Sequence, residues 1–191
     1  MSGSATYRSA PEHPTSVERL DPGGVDRHLA ELADVLCSCV HGGASVGFLP
    51  PFTAADAYRY WRDVRDLLGA GGRVLLVARR DGLVVGTAQL VLATPANGAH
   101  RAEVCKVLVH PDARRDGVGR ALMDAVDAQA RRYGRSLLVL DTVRGSAGER
   151  LYRAVGYQVS GVIPGYARST EGTLEDTTVM FKVLSPNPVR G

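Results

Sequence analysis

The run Arg114-Arg115-Asp116-Gly117-Val118-Gly119-Arg120 gathers residue types that hold an anion. An apolar strand-like stretch leads into His110-Pro111 before it, and an apolar-periodic stretch follows from Val118. A helix starting at this point leaves its first N–H groups without intrahelical acceptors and carries partial positive charge at that end. Such an end binds phosphate. Gly117 and Gly119 lack a Cβ and let a ligand approach the main chain. Arg114, Arg115 and Arg120 add guanidinium forks suited to phosphate oxygens. A plain glycine-containing strand–helix turn would use the same residues, so the flanking elements decide between the two.

Those elements read in order along the chain. Residues 17–21 suit a short first strand. Asp26 to His41 reads as one helix, with Leu29, Leu32, Leu36 and Val40 on one face. A Gly/Pro-rich loop spans His41 to Pro51. Thr53 and Asp56 form a capping-box pair for a second helix, whose apolar side is Tyr58, Trp61, Val64 and Leu68. Arg73–Arg79 and Leu83–Leu92 flank Asp81-Gly82, a hairpin signal. Thr94–Gly98 is a turn, and Glu103–Val109 is the next strand. Val118, Leu122, Ala125, Val126 and Tyr133 stripe the helix after the basic turn, with Gly134 just past its end. Ser136–Thr142 is apolar on both faces through Leu137–Leu140, as in a parallel strand covered on both sides. Ser146 and Glu149 make a capping box for a short helix ending at Gly156. Tyr157–Val162 and Thr177–Leu184 complete the strands. Residues 1–16, polar and without an apolar stretch, read as a disordered lead-in, 17–185 as one domain and 186–191 as a tail.

The basic turn resembles motif A of the GNAT superfamily of N-acetyltransferases, Arg/Gln-x-x-Gly-x-Gly/Ala. Two further elements match: the strand Ser136–Thr142, and Glu149-Arg-Leu-Tyr-Arg-Ala-Val-Gly-Tyr157, similar to the superfamily's Leu-Tyr-x-x-x-Gly-Phe/Tyr. The order β-α-α-β-β-β-α-β-α-β-β is the GNAT order. The likeness covers Val74 to Val183 well, and the first helices match in type only. It implies an α/β (α+β) fold with a mixed central sheet, helices on both faces, and fourth and fifth strands splayed apart, here Glu103–Val109 and Ser136–Asp141. It also implies that Arg114 to Arg120 hold the pyrophosphate of acetyl-CoA, and that Val107, Leu108 and Val109 offer an edge to the pantetheine arm. A backbone N–H among those three would face the acetyl oxygen. Arg101–Lys106, Leu140–Thr142, Gly145–Tyr152 and Ile163–Ala167 resemble the tabtoxin-resistance-type branch, whose members acetylate small amino compounds. Many family members carry Asn where this chain has Gly145. The neighbouring Ser146 either takes over part of that cofactor contact or only caps its helix.

Acyl transfer to an amine needs a neutral amine, donors for the developing oxyanion and a proton for the departing thiolate. By the resemblance, Tyr152 is the candidate acid; its alternative is a packing role. Glu103, a charge in an otherwise apolar strand, and Asp141, at a strand end, are the candidate bases or amine-binding carboxylates. A solvated strand end for Glu103 and an Asx turn at Asp141 are the alternatives. His110 sits in the turn to Pro111 and is the weaker base, and Cys105 reads as a small buried residue rather than a nucleophile. The Trp61 helix and the loop Ser45–Phe48 either wall the acceptor or simply pack.

Composition narrows the classes. The chain has 191 residues, enough for one core, and no apolar run of the ~18 residues that span a membrane. A net charge of +3 is too small and dispersed for nucleic acid but suits an anionic co-substrate. Three cysteines, an odd number, with Cys37 and Cys39 facing different ways on a helix, suggest reduced thiols and no metal. The expectation is a cytoplasmic N-acetyltransferase using acetyl-CoA on a small-molecule amine by direct attack in a ternary complex, with a homodimer left open. A protein or peptide N-acetyltransferase and a non-catalytic acyl-CoA sensor are the competing readings.

Overall fold

The computed structural model describes residues 14–92 and 95–184. The elements run β1 (Ser16–Leu20), α1 (Pro22–Arg27), α2 (Leu29–His41), α3 (Ala54–Gly69), β2 (Arg73–Arg80), β3 (Leu83–Val91), β4 (Arg101–Val109), α4 (Val118–Arg132), β5 (Leu137–Val143), α5 (Ala147–Ala154), β6 (Gln158–Arg168) and β7 (Leu174–Val183). One sheet holds the strands in the order β1-β2-β3-β4-β5-β7-β6. Every pairing is antiparallel except β4–β5. This is the expected mixed sheet. The residues read as a lead-in lie outside the described residues up to 13, and so do Thr94 and the tail. Ser16, assigned to the lead-in, is the first residue of β1.

Local chemistry explains the element ends. Asp81 and Gly82 have φ of 50° and 83°, the pair of positive values that a tight hairpin turn needs, and β2 and β3 pair across them. The Thr53 hydroxyl accepts from the Asp56 N–H at 3.2 Å while the Asp56 carboxylate accepts from the Thr53 N–H at 2.9 Å, closing the capping box of α3. The first helix departs from its periodicity. Asp21 accepts from the Gly24 N–H at 2.6 Å with Pro22 at the first helical position, so the helix starts earlier than Asp26. It then breaks at His28, whose ψ of 19° is not helical. One expected helix is therefore two.

The sheet has a core on each face. Val74, Leu76, Ala88, Leu90, Ala102 and Val104 pack with Leu122, Met123 and Val126 of α4 and Tyr152 of α5. On the other face Leu75, Val77 and Leu108 pack with Leu32, Leu36, Trp61 and Val64 of α2 and α3. Helices thus cover both faces of the sheet. The C-terminal strands differ from expectation. Leu137 and Val139 of β5 are only half-buried while Leu138 and Leu140 are buried, so one face is less covered than the apolar run implied. β6 extends to Arg168, past its expected end at Val162. Register shifts at Val159/Gly161 and Ile163/Ala167 let the strand run on through Gly161, Pro164 and Gly165.

Candidate active site

β4 and β5 pair only through Arg101↔Leu137, Ala102↔Leu138 and Glu103↔Val139. Beyond that they part. β4 stays on β3 to Gly86↔Val109, and β5 stays on β7 to Val143↔Thr177. The result is the expected fork, with Glu103 at its apex and one edge of β4 from Val104 onward unpaired with β5.

A bulge shapes that edge. Thr87 faces Leu108 and Gln89 faces Cys105, so Ala88 alone opposes Lys106 and Val107. Lys106 has φ 49°, a left-handed value that costs a non-glycine residue about 1–2 kcal/mol. The wholly buried Thr87 hydroxyl donates to the Lys106 carbonyl at 2.9 Å and holds the bulge. The extra residue reverses the alternation of the strand. Ala102 and Val104 point to the α4 face, and so do Val107 and Val109. Glu103 and Cys105 share the opposite face, to which Leu108 returns. Nothing in the apolar run Val104–Val109 announces this bulge.

The bulge assembles a bowl on the α2–α3 face. Its strand residues are Glu103 and Cys105, and Asp141 lies across the fork. Burial raises the Cys105 thiol pKa, with Arg73 and Lys106 opposing and Glu103 and Asp141 adding, which places all four charges around it. The thiol therefore stays protonated at neutral pH, in line with a packing role. Tyr60, absent from the expected apolar side of its helix, overhangs the bowl. Its hydroxyl accepts from Gln89 at 2.9 Å, and burial pushes its pKa above the usual tyrosine range. Phe48 stacks edge-on against Tyr60 with centroids 5.2 Å apart. Trp61 points the other way: it is fully buried and its indole N–H donates to the Leu32 carbonyl at 2.8 Å. The loop Ser45–Phe48 does wall the bowl, through Phe48, but Trp61 is core.

Tyr152 approaches the fork from the α4 face. It is buried, and burial, followed by the charges of Asp141 and Cys105, raises its pKa above the ordinary value. Its hydroxyl has no hydrogen-bond partner among the described residues. The phenol therefore stays protonated through neutral pH, the state a proton donor needs. Tyr152 is thus brought to Asp141, and Glu103 is brought with Asp141 around Cys105. His110 is not: its Nδ1 accepts from the Asp112 N–H at 3.3 Å and caps the turn Pro111–Ala113.

The fork opens toward α4. Gly117, at φ 81°, sits at the N-cap and no side chain caps the helix. Asp116 pairs with Arg80 at 2.9 Å instead. The first-turn N–H groups are therefore bare, as expected. The arginines divide their duties. Arg114 Nε donates to the Val109 carbonyl at 3.1 Å and its NH2 reaches Cys39 Sγ at 3.9 Å, tying the turn to β4 and α2. Arg120 donates to the Ala154 carbonyl at the end of α5, at 3.4 Å. Only Arg115, at φ 67°, has a guanidinium without a partner among the described residues. Gly119 has a further role: a Cβ there would lie 2.9 Å from Leu151 Cδ2, so its bareness serves the close packing of α4 on α5. Ser146 Oγ accepts from the Glu149 N–H at 3.1 Å and caps α5, but the Glu149 carboxylate reaches past the cap to the Gly145 N–H at 2.6 Å. The expected reciprocal box is thus half-formed.

A sequence model described as "Acetyltransferase (GNAT) domain" matches residues 71–159. An uncharacterised N-acetyltransferase from the hisH–hisA intergenic region of Azospirillum brasilense is 36% identical over 128 residues, 66% of this chain and 74% of that protein. An L-methionine sulfoximine/L-methionine sulfone acetyltransferase of Salmonella typhimurium is 30% identical over 105 residues, 54% of this chain and 60% of that protein. A putative acetyltransferase of Salmonella typhimurium, solved with its cofactor acetyl-CoA, has the same fold at a TM-score of 0.72. It is 21% identical, and the match covers 93% of this chain and 98% of that one.

Proposed function

The chain belongs to the GNAT family of acetyltransferases, and from that premise we propose that it moves an acetyl group from acetyl-CoA to the amine of a small molecule in the cytoplasm. The observation that carries the reading is the fork of β4 and β5 opening directly onto the uncapped N-terminus of α4. That surface fits the co-substrate: an unpaired strand edge at Val107, Leu108 and Val109 for the amide-bearing arm, and bare N–H groups of Gly117, Val118, Gly119 and Arg120 with Arg115 for the pyrophosphate. Arg114, Asp116 and Ser146 keep the turn and the α5 cap in shape. The thioester supplies the activated acetyl group. Glu103 or Asp141 takes the proton that an ammonium must lose before it has a lone pair to attack with. An N–H of the bulged edge faces the negative charge that develops on the acetyl oxygen. As the C–S bond breaks, Tyr152, held protonated, passes its proton to the leaving sulfur and recovers one from solvent. The attack is direct, within one ternary complex and without a covalent enzyme intermediate. The loop 42–51 narrows the approach over the bowl, and the methionine sulfoximine acetyltransferase is by its name a small-molecule enzyme; both support a small acceptor.

The test is a panel of small amines and N-terminal peptides with acetyl-CoA, read by thiol release. Turnover of a small amine is expected. Peptides turned over in its place would reassign the acceptor, and CoA binding without turnover of any amine would make the protein a sensor.

A further inference from the structure

The bowl holds charges of both signs that do not neutralise one another. Glu103 and Asp141 form no ion pair among the described residues, and neither does Lys106. Arg73 bonds only the neutral side chain of Gln89. Lysine is scarce in this arginine-rich chain, present only as Lys106 and Lys182, and Lys182 is spent on Asp127 at 2.6 Å. Lys106 is different. Its Nζ stands 5.6 Å from the Phe48 ring centroid and 5.9 Å from that of Tyr60. The main chain at Gly47 passes beside it, since a Cβ there would lie 3.6 Å from the ammonium. Two aromatic faces steady a cation without discharging it.

The backbone adds a second observation. Lys106 occupies the left-handed residue of the bulge, where glycine would relieve the strain. A lysine kept at a strained position, its carbonyl fastened by the buried Thr87 hydroxyl, has its side chain fixed in direction. That direction is the bowl, under Phe48 and Tyr60, where Lys106 acts on the Cys105 thiol together with Glu103 and Asp141.

Resting on the acetyl-transfer reading, we propose that the acceptor is an amino-acid-like zwitterion, and that Lys106 is the specificity-determining residue that holds its carboxylate while Glu103 and Asp141 receive its amine. The lysine contributes a charge-assisted hydrogen bond in a partly buried setting. The aromatic pair limits the room around it, and Arg73 adds a second positive charge on the same face. An amine with no acid group leaves Lys106 desolvated and unpaired, which costs affinity.

The experiment compares free L-α-amino acids with their methyl esters as acceptors, by kcat/KM at saturating acetyl-CoA. For at least one amino acid the free acid is expected to be preferred roughly tenfold or more, the scale of one charge-assisted hydrogen bond. Lys106→Gln removes the charge and should bring the ratio toward one through the acid's KM. Lys106→Arg should restore part of it. Lys106→Gly also removes the charge but relaxes the backbone, so it keeps the fold at least as stable while losing the preference. Esters used as well as acids by the native protein, or a preference that survives in Lys106→Gly, would overturn the proposal and leave acetyl transfer intact. Simple amines turned over while no amino acid is would do the same. If acetyl-CoA binds and no amine of any kind releases thiol, acetyl transfer fails first and this inference falls with it.

Discussion

The two ends of the β4–β5 fork are made of different material. At the α4 end the surface is main chain: Gly117 at φ 81°, a helix start that no side chain caps, and an unpaired strand edge. At the bowl end it is side chains brought from five places, namely Phe48, Tyr60, Glu103 with Cys105 and Lys106, Asp141 and Tyr152. A main-chain surface recognises what every member of a family must bind, because it survives replacement of most side chains. A side-chain surface recognises what distinguishes one member from the next.

The comparison can be broken most severely at Gly119. Gly119→Glu brings a Cβ against Leu151 and sets a carboxylate on the first turn of α4, where an anion should bind. The end of Leu151 can yield, so the fold should survive, while calorimetry should show CoA binding abolished. Unchanged affinity would remove the phosphate role from this turn.

Tyr152→Phe tests the other end. It keeps the ring and removes the proton. We expect kcat to fall about 10²-fold, within the range of general acid catalysis. Because burial and the nearby Asp141 keep the phenol protonated, the deficit should persist from about pH 6 to 9, a span bracketing the ~8.5 of a free thiol. Wild-type rates across that span would make Tyr152 a packing residue.

A smaller effect separates the arginines. Replacing Arg114 and Arg115 together with Ala should raise the KM for acetyl-CoA roughly tenfold with little change in kcat, less so at high salt. Arg115→Ala alone should carry most of that rise, because the Arg114 guanidinium is already engaged by the Val109 carbonyl. Steady-state kinetics on the single variants that show Arg114 dominating would contradict this division.

The smallest effect is on stability. The Gly145 N–H, then Arg153, lower the pKa of Glu149, so its stabilising contribution is present above the ordinary carboxylate pKa of ~4.3 and is lost as pH falls through the folded value. Glu149→Gln should lower Tm by ~2–4 °C at neutral pH, the response to about 1 kcal/mol in a domain of this size. In thermal melts the gap between the two proteins should narrow as the pH falls below the ordinary carboxylate range. A constant gap at all pH values would show that the charge is irrelevant.

The main-chain end was the more legible in sequence, and the reason is locality. Gly117, the apolar stripe of α4 and the Thr53–Asp56 cap act within a few residues, so type and spacing suffice. The fork itself was readable through the resemblance carried by Arg114–Gly119 and Leu151-Tyr152. What escaped depends on contacts between distant residues. The turn away of Trp61 needs the Leu32 carbonyl, and the engagement of Arg120 needs the end of α5. The bulge needs Thr87 from the neighbouring strand. The break at His28 also has a distant partner, since the imidazole meets Arg79 at 2.9 Å and Glu31 at 3.0 Å.

One consequence of that bulge concerns how such a protein diversifies. Because the strand changes phase at Lys106, positions 103 and 105 face the bowl, while 107 and 109 answer to the opposite core. The two stretches can drift independently along a single strand. Loss of Lys106 would leave plain alternation with Val107, Leu108 and Val109 on their present faces, whereas straightening the bulge with every residue kept would send Leu108 to the wrong core. The lysine and its bulge can therefore be lost together with both cores kept in phase, but the bulge cannot be lost alone.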